Sequence, residues 1–249
     1  MTGSTATRVA LAIFMVVTCG WSGAAGQGSS LAIDELRSGL DAMERGDYES
    51  ALGHYGRALE NAEIGELRFQ AHLGVGSVYA ATDRLDEAAA AYRAALEIKP
   101  NHPATLYSLG LVTKDQGRYE EAATLFANAA VRNPQLGEAL VELGIVYAHL
   151  ERHEQSADAC RLAVPILEDD EAALLCVGVA LFQLGRYSEA LPAFETAIEG
   201  NPGNPRAHYG LGLTRLKAGD RDGAIAEVGE LNQLDPELAN ALYDRIFPP

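Results

Sequence analysis

Positive charge is what this 249-residue chain has least of, with 19 Lys and Arg standing against 35 Asp and Glu for a formal net charge of −16. Nucleic acid and anionic lipid are bound largely by neutralising phosphates, so this balance excludes both as general partners. A local basic stripe could override the total, but Arg84, Arg118, Arg152, Arg186 and Arg221 are dispersed at a regular interval instead of gathered. Aromatics make up only 7% of the chain, with one Trp, while hydrophobic residues reach 48% and Ala and Leu dominate. That composition disfavours sheet and wholesale disorder, and favours an all-helical chain able to bury a substantial core. Cysteine is scarce as well: three are present, Cys19, Cys160 and Cys176. Cys160 and Cys176 have no zinc-ligand spacing. Two buried apolar thiols are the expectation, ahead of a disulfide between them.

Catalytic constellations are missing too. The sequence holds no glycine-rich phosphate loop, nucleophile elbow, His-Glu-x-x-His element or Cys-His arrangement. His149 and His153 are spaced like a helical metal pair, but a turn is expected between them, so they should not share a face. The acidic clusters Asp34-Glu35, Asp86-Glu87, Glu120-Glu121 and Asp169-Asp170-Glu171 suit helix starts, where negative charge meets the helix dipole. No catalytic, cofactor-binding or metal-binding residue is nominated, and a non-enzymatic role is expected.

The strongly apolar run lies at the N-terminus. Arg8 precedes Val9 to Val17, and small residues follow through Ser22-Gly23-Ala24-Ala25-Gly26, the layout of a secretory signal peptide. Residues 1–26 are therefore set apart from the fold, with cleavage expected after Ala25 or Gly26 and an exported, periplasmic or secreted product. Val16-Val17-Thr18-Cys19 offers a second reading, a lipoprotein box that would anchor the chain through Cys19, although Thr18 is large for that place. An uncleaved anchor is the third, and the run is short of the ~20 residues a spanning helix needs.

Beyond residue 26 the sequence repeats itself. Aligning Gly46-Asp47-Tyr48, Asp83-Arg84-Leu85, Gly117-Arg118-Tyr119, Glu151-Arg152-His153, Gly185-Arg186-Tyr187 and Gly219-Asp220-Arg221 yields six units with a period of 34. They run over residues 32–65, 69–102, 103–136, 137–170, 171–204 and 205–238, with Glu66, Leu67 and Arg68 as extra residues. Position 8 is glycine throughout (Gly39, Gly76, Gly110, Gly144, Gly178, Gly212), and position 20 is small (Ala51, Ala88, Ala122, Ser156, Ala190, Ala224). Position 24 carries Tyr55, Tyr92, Phe126, Cys160, Phe194 and Val228, and proline closes four units as Pro100, Pro134, Pro202 and Pro236. Two apolar-periodic stretches per unit read as a helical hairpin, with the small residues placed where paired helices approach most closely and the position-24 aromatics filling the space beside them. Stacked hairpins would share one continuous core, and residues 239–249 would form a C-terminal capping helix. Pro165 and Pro192 put local geometry in doubt in the fourth and fifth units.

This pattern resembles the tetratricopeptide repeat over about residues 32–238. The resemblance implies a right-handed α-α superhelix whose inner groove is lined by positions 2, 5, 9, 12 and 13 of each first helix. Positions 5 and 9 are then Leu36 and Leu40, Leu73 and Ser77, Tyr107 and Leu111, Val141 and Ile145, Leu175 and Val179, Tyr209 and Leu213, with Met43, Phe182 and Leu216 added at position 12. Lys and Asn, which relatives that clamp a carboxylate use at these places, are absent. The implied function is a scaffold that grips a protein or peptide segment in an apolar groove of a cell-envelope complex, with no cofactor. Internal packing of the same residues and self-association are the alternatives. Membrane contact is expected only through an N-terminal lipid or anchor.

Overall fold

The computed structural model describes residues 27–168 and 170–248, so the segment read as an export signal lies outside the described residues. Thirteen α-helices, and no strand, make up the described chain, which divides into two compact units at Asn133 and Pro134. The first unit holds three hairpins: α1 (Gln27–Glu44) with α2 (Tyr48–Asn61), α3 (Gly65–Ala81) with α4 (Leu85–Ile98), and α5 (Pro103–Asp115) with α6 (Tyr119–Arg132). The second holds α7 (Gly137–His149) with α8 (His153–Ala163), α9 (Glu171–Gln183) with α10 (Tyr187–Gly200), and α11 (Pro205–Ala218) with α12 (Arg221–Leu234), followed by α13 (Pro236–Ile246). Each unit carries its own core of three hairpins.

Every hairpin turns through a left-handed residue two positions before its second helix. Gly46, Gly117, Gly185 and Gly219 take this conformation, and Asp83 and Glu151 take it at φ 58° without being glycine. The turn lets the next amide reach back to the first helix, as in Arg118 N–H to Thr113 O at 2.9 Å and Arg152 N–H to Tyr147 O at 2.8 Å. A left-handed L-residue costs roughly 1–2 kcal/mol, and glycine returns part of that as chain entropy. Glu151→Gly is therefore expected to raise stability by about 0.5–1 kcal/mol in urea titrations, and Gly117→Ala to lower it by a similar amount. At the other end of the hairpins, Lys99, Asn133, Asn201 and Asp235 are extended immediately before a proline, which ends the second helix.

Three departures from the repeat are absorbed locally. Glu66, Leu67 and Arg68 become part of the first turns of α3, where Leu67 is buried and Glu66 pairs with Lys99 at 2.6 Å. Pro165 follows the short α8, and Pro192 sits inside α10 without interrupting it. One acidic cluster is displaced from its expected place: Asp34 and Glu35 lie in the middle of α1, because that helix begins upstream at Gln27. Glu35 instead binds His54 and Arg57 of α2, at 2.6 and 2.9 Å. Asp86-Glu87, Glu120-Glu121 and Glu171 do stand in first turns, with Asp170 as a side-chain cap; Asp169 lies outside the described residues.

The small residues of the repeat pack against rings. A Cβ placed on Gly39 would stand 2.7 Å from the Tyr55 ring, and one on Gly74 of the next hairpin 2.5 Å from it. Phe194 is seated the same way between Gly178 and Gly210. Tyr92 faces Gly76 and Phe126 faces Gly110, each at 2.7 Å from the absent Cβ. What occupies the glycine's space is thus the aromatic side chain of the second helix, the place expected for the position-24 rings. In the sixth repeat, where Val228 replaces the ring, Leu242 of α13 faces Gly212. The terminal helix supplies the missing bulk, with Ala239, Leu242 and Ile246 buried.

Two half-buried histidines are expected to make the first unit acid-sensitive. His102 caps α5 by accepting the Thr105 amide on Nδ1 at 3.3 Å, and stands edge-on to Phe69 with centroids 4.9 Å apart. Burial, then Lys99, pushes it below its ordinary value of 6.5, and burial, then Arg68, does the same to His72 on α3. The unfolded chain thus takes up these protons first, so the neutral rings favour the fold fully above pH 6.5 and less as pH falls through that value. Protonation also removes the lone pair that caps α5. The Glu35 carboxyl, held low by Arg57 and His54, adds a further loss once pH drops below 4.5. Melting curves are expected to be flat from pH 8 to 7 and to shift downward between roughly pH 6.5 and 5.

Candidate partner-binding groove

The nominated groove residues divide sharply by burial. In the first unit Leu36, Leu40, Met43, Leu73, Tyr107 and Leu111 are all closed into the packing, between 4% and 8% exposed. Tyr107 lies against the Phe126 ring, with centroids 5.7 Å apart, and Ser77, the polar member of the set, is buried with its hydroxyl donating to Leu73 O at 2.9 Å. Polar substitution there attacks the core. In the second unit Val141 is likewise buried, whereas Ile145, Leu175, Phe182, Tyr209, Leu213 and Leu216 are half-buried and Val179 is 45% exposed. Phe182 packs on Tyr187, and Tyr209, Leu213 and Leu216 pack on the cluster around Leu231 and Leu242.

Ile145, Leu175 and Val179 converge instead on a cavity of about 480 Å³. Its other walls are Ala148, His149, Ser156, Ala172, Cys176 and Arg206, so α7, α9 and α11 line it and α8 contributes its depth. Ser156 is buried and satisfied, donating to Gly144 O at 2.8 Å. Such a cavity is mostly aliphatic, with Arg206 and His149 as its ionisable members. Among the described residues no three His, Cys, Asp or Glu side chains gather as metal ligands.

Cys160 and Cys176 form a disulfide that ties α8 to α9, with Cα atoms 5.7 Å apart. This overturns the expectation of two separate thiols. Helix pairing explains it: eight residues on either side of the turn at Glu168 put the two side chains at one height on neighbouring antiparallel helices.

Sequence comparison agrees with this architecture. The profile of the tetratricopeptide repeat matches residues 36–103, 107–171 and 181–246. The chain belongs to the tetratricopeptide repeat family. It shares its fold with a tetratricopeptide repeat protein from Parabacteroides merdae, with a TM-score of 0.73 at 19% identity over 87% of this chain and 86% of the other. Pseudomonas aeruginosa pilF matches with the same TM-score of 0.73 at 20% identity, over 88% of this chain and 100% of its own. YrrB, described as a tetratricopeptide protein with an unusual peptide-binding site, is 25% identical with a TM-score of 0.66 over 76% of this chain and 97% of its own. Among curated proteins, the photosystem I assembly protein Ycf3 of Synechococcus sp. strain CC9605 is 35% identical over 81 residues, 32% of this chain. That match spans 47% of the relative, less than half its length.

The tetratricopeptide fold is a protein–protein interaction scaffold whose partners are proteins or peptides. Several cavity residues of this tetratricopeptide chain went unnominated in the sequence, yet a signal existed for most of them. Ala172 and Arg206 occupy position 2, Ala148 position 12 and His149 position 13, all inner-face positions of the repeat. Ser156 and Cys176 had no such signal, because their part in the wall depends on how α8 and α9 meet.

Proposed function

We propose that this protein holds an apolar segment of another protein in the cavity of its second unit, without catalysing a reaction, as an assembly scaffold in a bacterial cell-envelope complex. The observation that carries the reading is the 480 Å³ aliphatic cavity on which Ile145, Leu175 and the exposed Val179 converge. Apolar surface left open beside polar residues is characteristic of partner sites. The peptide-binding description of YrrB and the assembly role in the name of Ycf3 lend support by likeness.

Val179→Asp tests it. With 45% of the side chain exposed, this change is expected to leave the melting temperature almost untouched. Capture of partners by a photocrosslinker at Leu175, read by mass spectrometry in native cells, should fall at least about tenfold, the scale of losing one anchoring contact. Leu111→Asp, at a position 5% exposed, should unfold the first unit instead. Undiminished capture by the Val179 variant would remove the basis for the reading.

Export completes the proposal, supported by the three-part N-terminal segment. No described helix is long and apolar enough to cross a membrane. The second reading, a lipid-anchored scaffold, is favoured by Val16-Val17-Thr18-Cys19. Trp21 separates the two, since cleavage after Ala25 removes the single Trp and cleavage before Cys19 retains it.

A further inference from the structure

One repeat junction is closed by chemistry that the others do not use. Tyr55 sits between Gly39 and Gly74, and Phe194 between Gly178 and Gly210, each ring filling the space between its own hairpin and the next. The fourth repeat has Cys160 at the ring position, facing Gly144, and Cys176 stands where Gly74 and Gly210 stand in their repeats. A bonded pair of sulfurs thus replaces a ring held between two glycines. Ring packing is indifferent to redox conditions, and a cystine is not.

The two cysteine residues also differ in exposure. Cys160 is 0% exposed, whereas Cys176 is half-buried and forms part of the cavity wall with Ile145, Leu175 and Val179. Exchange requires a thiolate to reach the sulfur it attacks. We propose that the Cys160–Cys176 bond is a thiol-exchange site opening into the apolar groove, at which a low-molecular-weight thiol is taken up on Cys176. In the step, the incoming thiolate bonds to Cys176 Sγ and the bond to Cys160 breaks. The electron pair leaves on Cys160 Sγ, which takes a proton from water and stays behind as a buried thiol. A second thiolate can then displace the first as a small-molecule disulfide, leaving Cys176 free beside Val141 O, 3.9 Å away, as an acceptor for its hydrogen. Either product changes the groove. The adduct occupies the cavity, and the reduced form has neither bond nor ring between Gly144 and α9.

The consequence for binding rests on the reading of this cavity as the partner groove; the exchange chemistry does not. The test uses the full oxidised chain, incubated under native conditions with reduced glutathione, alkylated and mapped by mass spectrometry. One glutathione on the Cys176 peptide and an alkylated Cys160 are expected, together with loss of fluorescence from anilinonaphthalene sulfonate bound in the cavity. A bond that resists glutathione until denaturant is added, or an adduct on Cys160, overturns the proposal. Cys160→Phe with Cys176→Gly restores the ring between glycines and guards against a variant that merely fails to fold. It should take no glutathione and bind the dye equally with and without thiol; dye release by thiol from this variant would overturn the link between bond and groove. Exchange at Cys176 in a protein that never bound the dye would sustain the chemistry while sinking the groove reading.

Discussion

Truncating Phe194 to alanine is expected to lower the unfolding free energy of the second unit by about 3–5 kcal/mol, the usual cost of removing a fully buried ring. Phe194 is 1% exposed and touches the absent side chains of Gly178 on α9 and Gly210 on α11, so its loss opens a void shared by two hairpins. Neither helix can close that void alone without leaving its other neighbour. The complementary change, Gly178→Ala, would put a Cβ 2.7 Å from the same ring and is expected to cost about 1–3 kcal/mol by overpacking. Combining the two should cost less than their sum, because the truncated ring no longer meets the added methyl. Urea unfolding followed by circular dichroism measures all three. Strict additivity would show that the glycine and the ring do not meet.

The second large effect is expected at Glu227, whose replacement by alanine should cost about 3–5 kcal/mol by stranding buried partners. Its carboxylate meets His208 Nδ1 at 2.6 Å and Arg215 at 2.7 Å, while His208 Nε2 faces Pro202 O at 3.0 Å, and the His208 and Glu227 side chains are each 8% exposed. These residues occupy positions 4 and 23 of the sixth repeat. The first repeat holds the same pair reversed, Glu35 with His54. The third, fourth and fifth repeats hold Leu106 with Leu125, Leu140 with Ala159 and Leu174 with Ala193. His208→Leu combined with Glu227→Ala should therefore recover most of the loss, since it installs a pair the chain already uses elsewhere. A double variant as unstable as Glu227→Ala alone would show that the ionic pair carries more than its own desolvation.

The hairpins were legible because their signals are local and recur. Gly117 and Gly185 in the turns, and Pro100 and Pro202 after the second helices, act through backbone conformation that a few neighbours decide. The groove was legible only in part for the opposite reason. Leu111 and Val179 occupy the same position of the repeat, yet one is 5% and the other 45% exposed. The difference comes from what lies beside them, which the repeat register does not contain. The disulfide was misjudged on similar grounds: the spacing of Cys160 and Cys176 allowed a bond, and only the meeting of α8 with α9 made it.

By itself, the amino-acid order determined an all-helical chain of helical hairpins and the pairing of small with large side chains, because periodicity and turn chemistry act over neighbouring residues. Tertiary structure alone decided that six apolar groove residues of the first unit are core, and that α7, α9 and α11 leave an aliphatic cavity walled in part by a cystine. Those outcomes depend on which faces of distant helices meet and how completely they close, and burial is a property of the assembled neighbours rather than of any residue in the line.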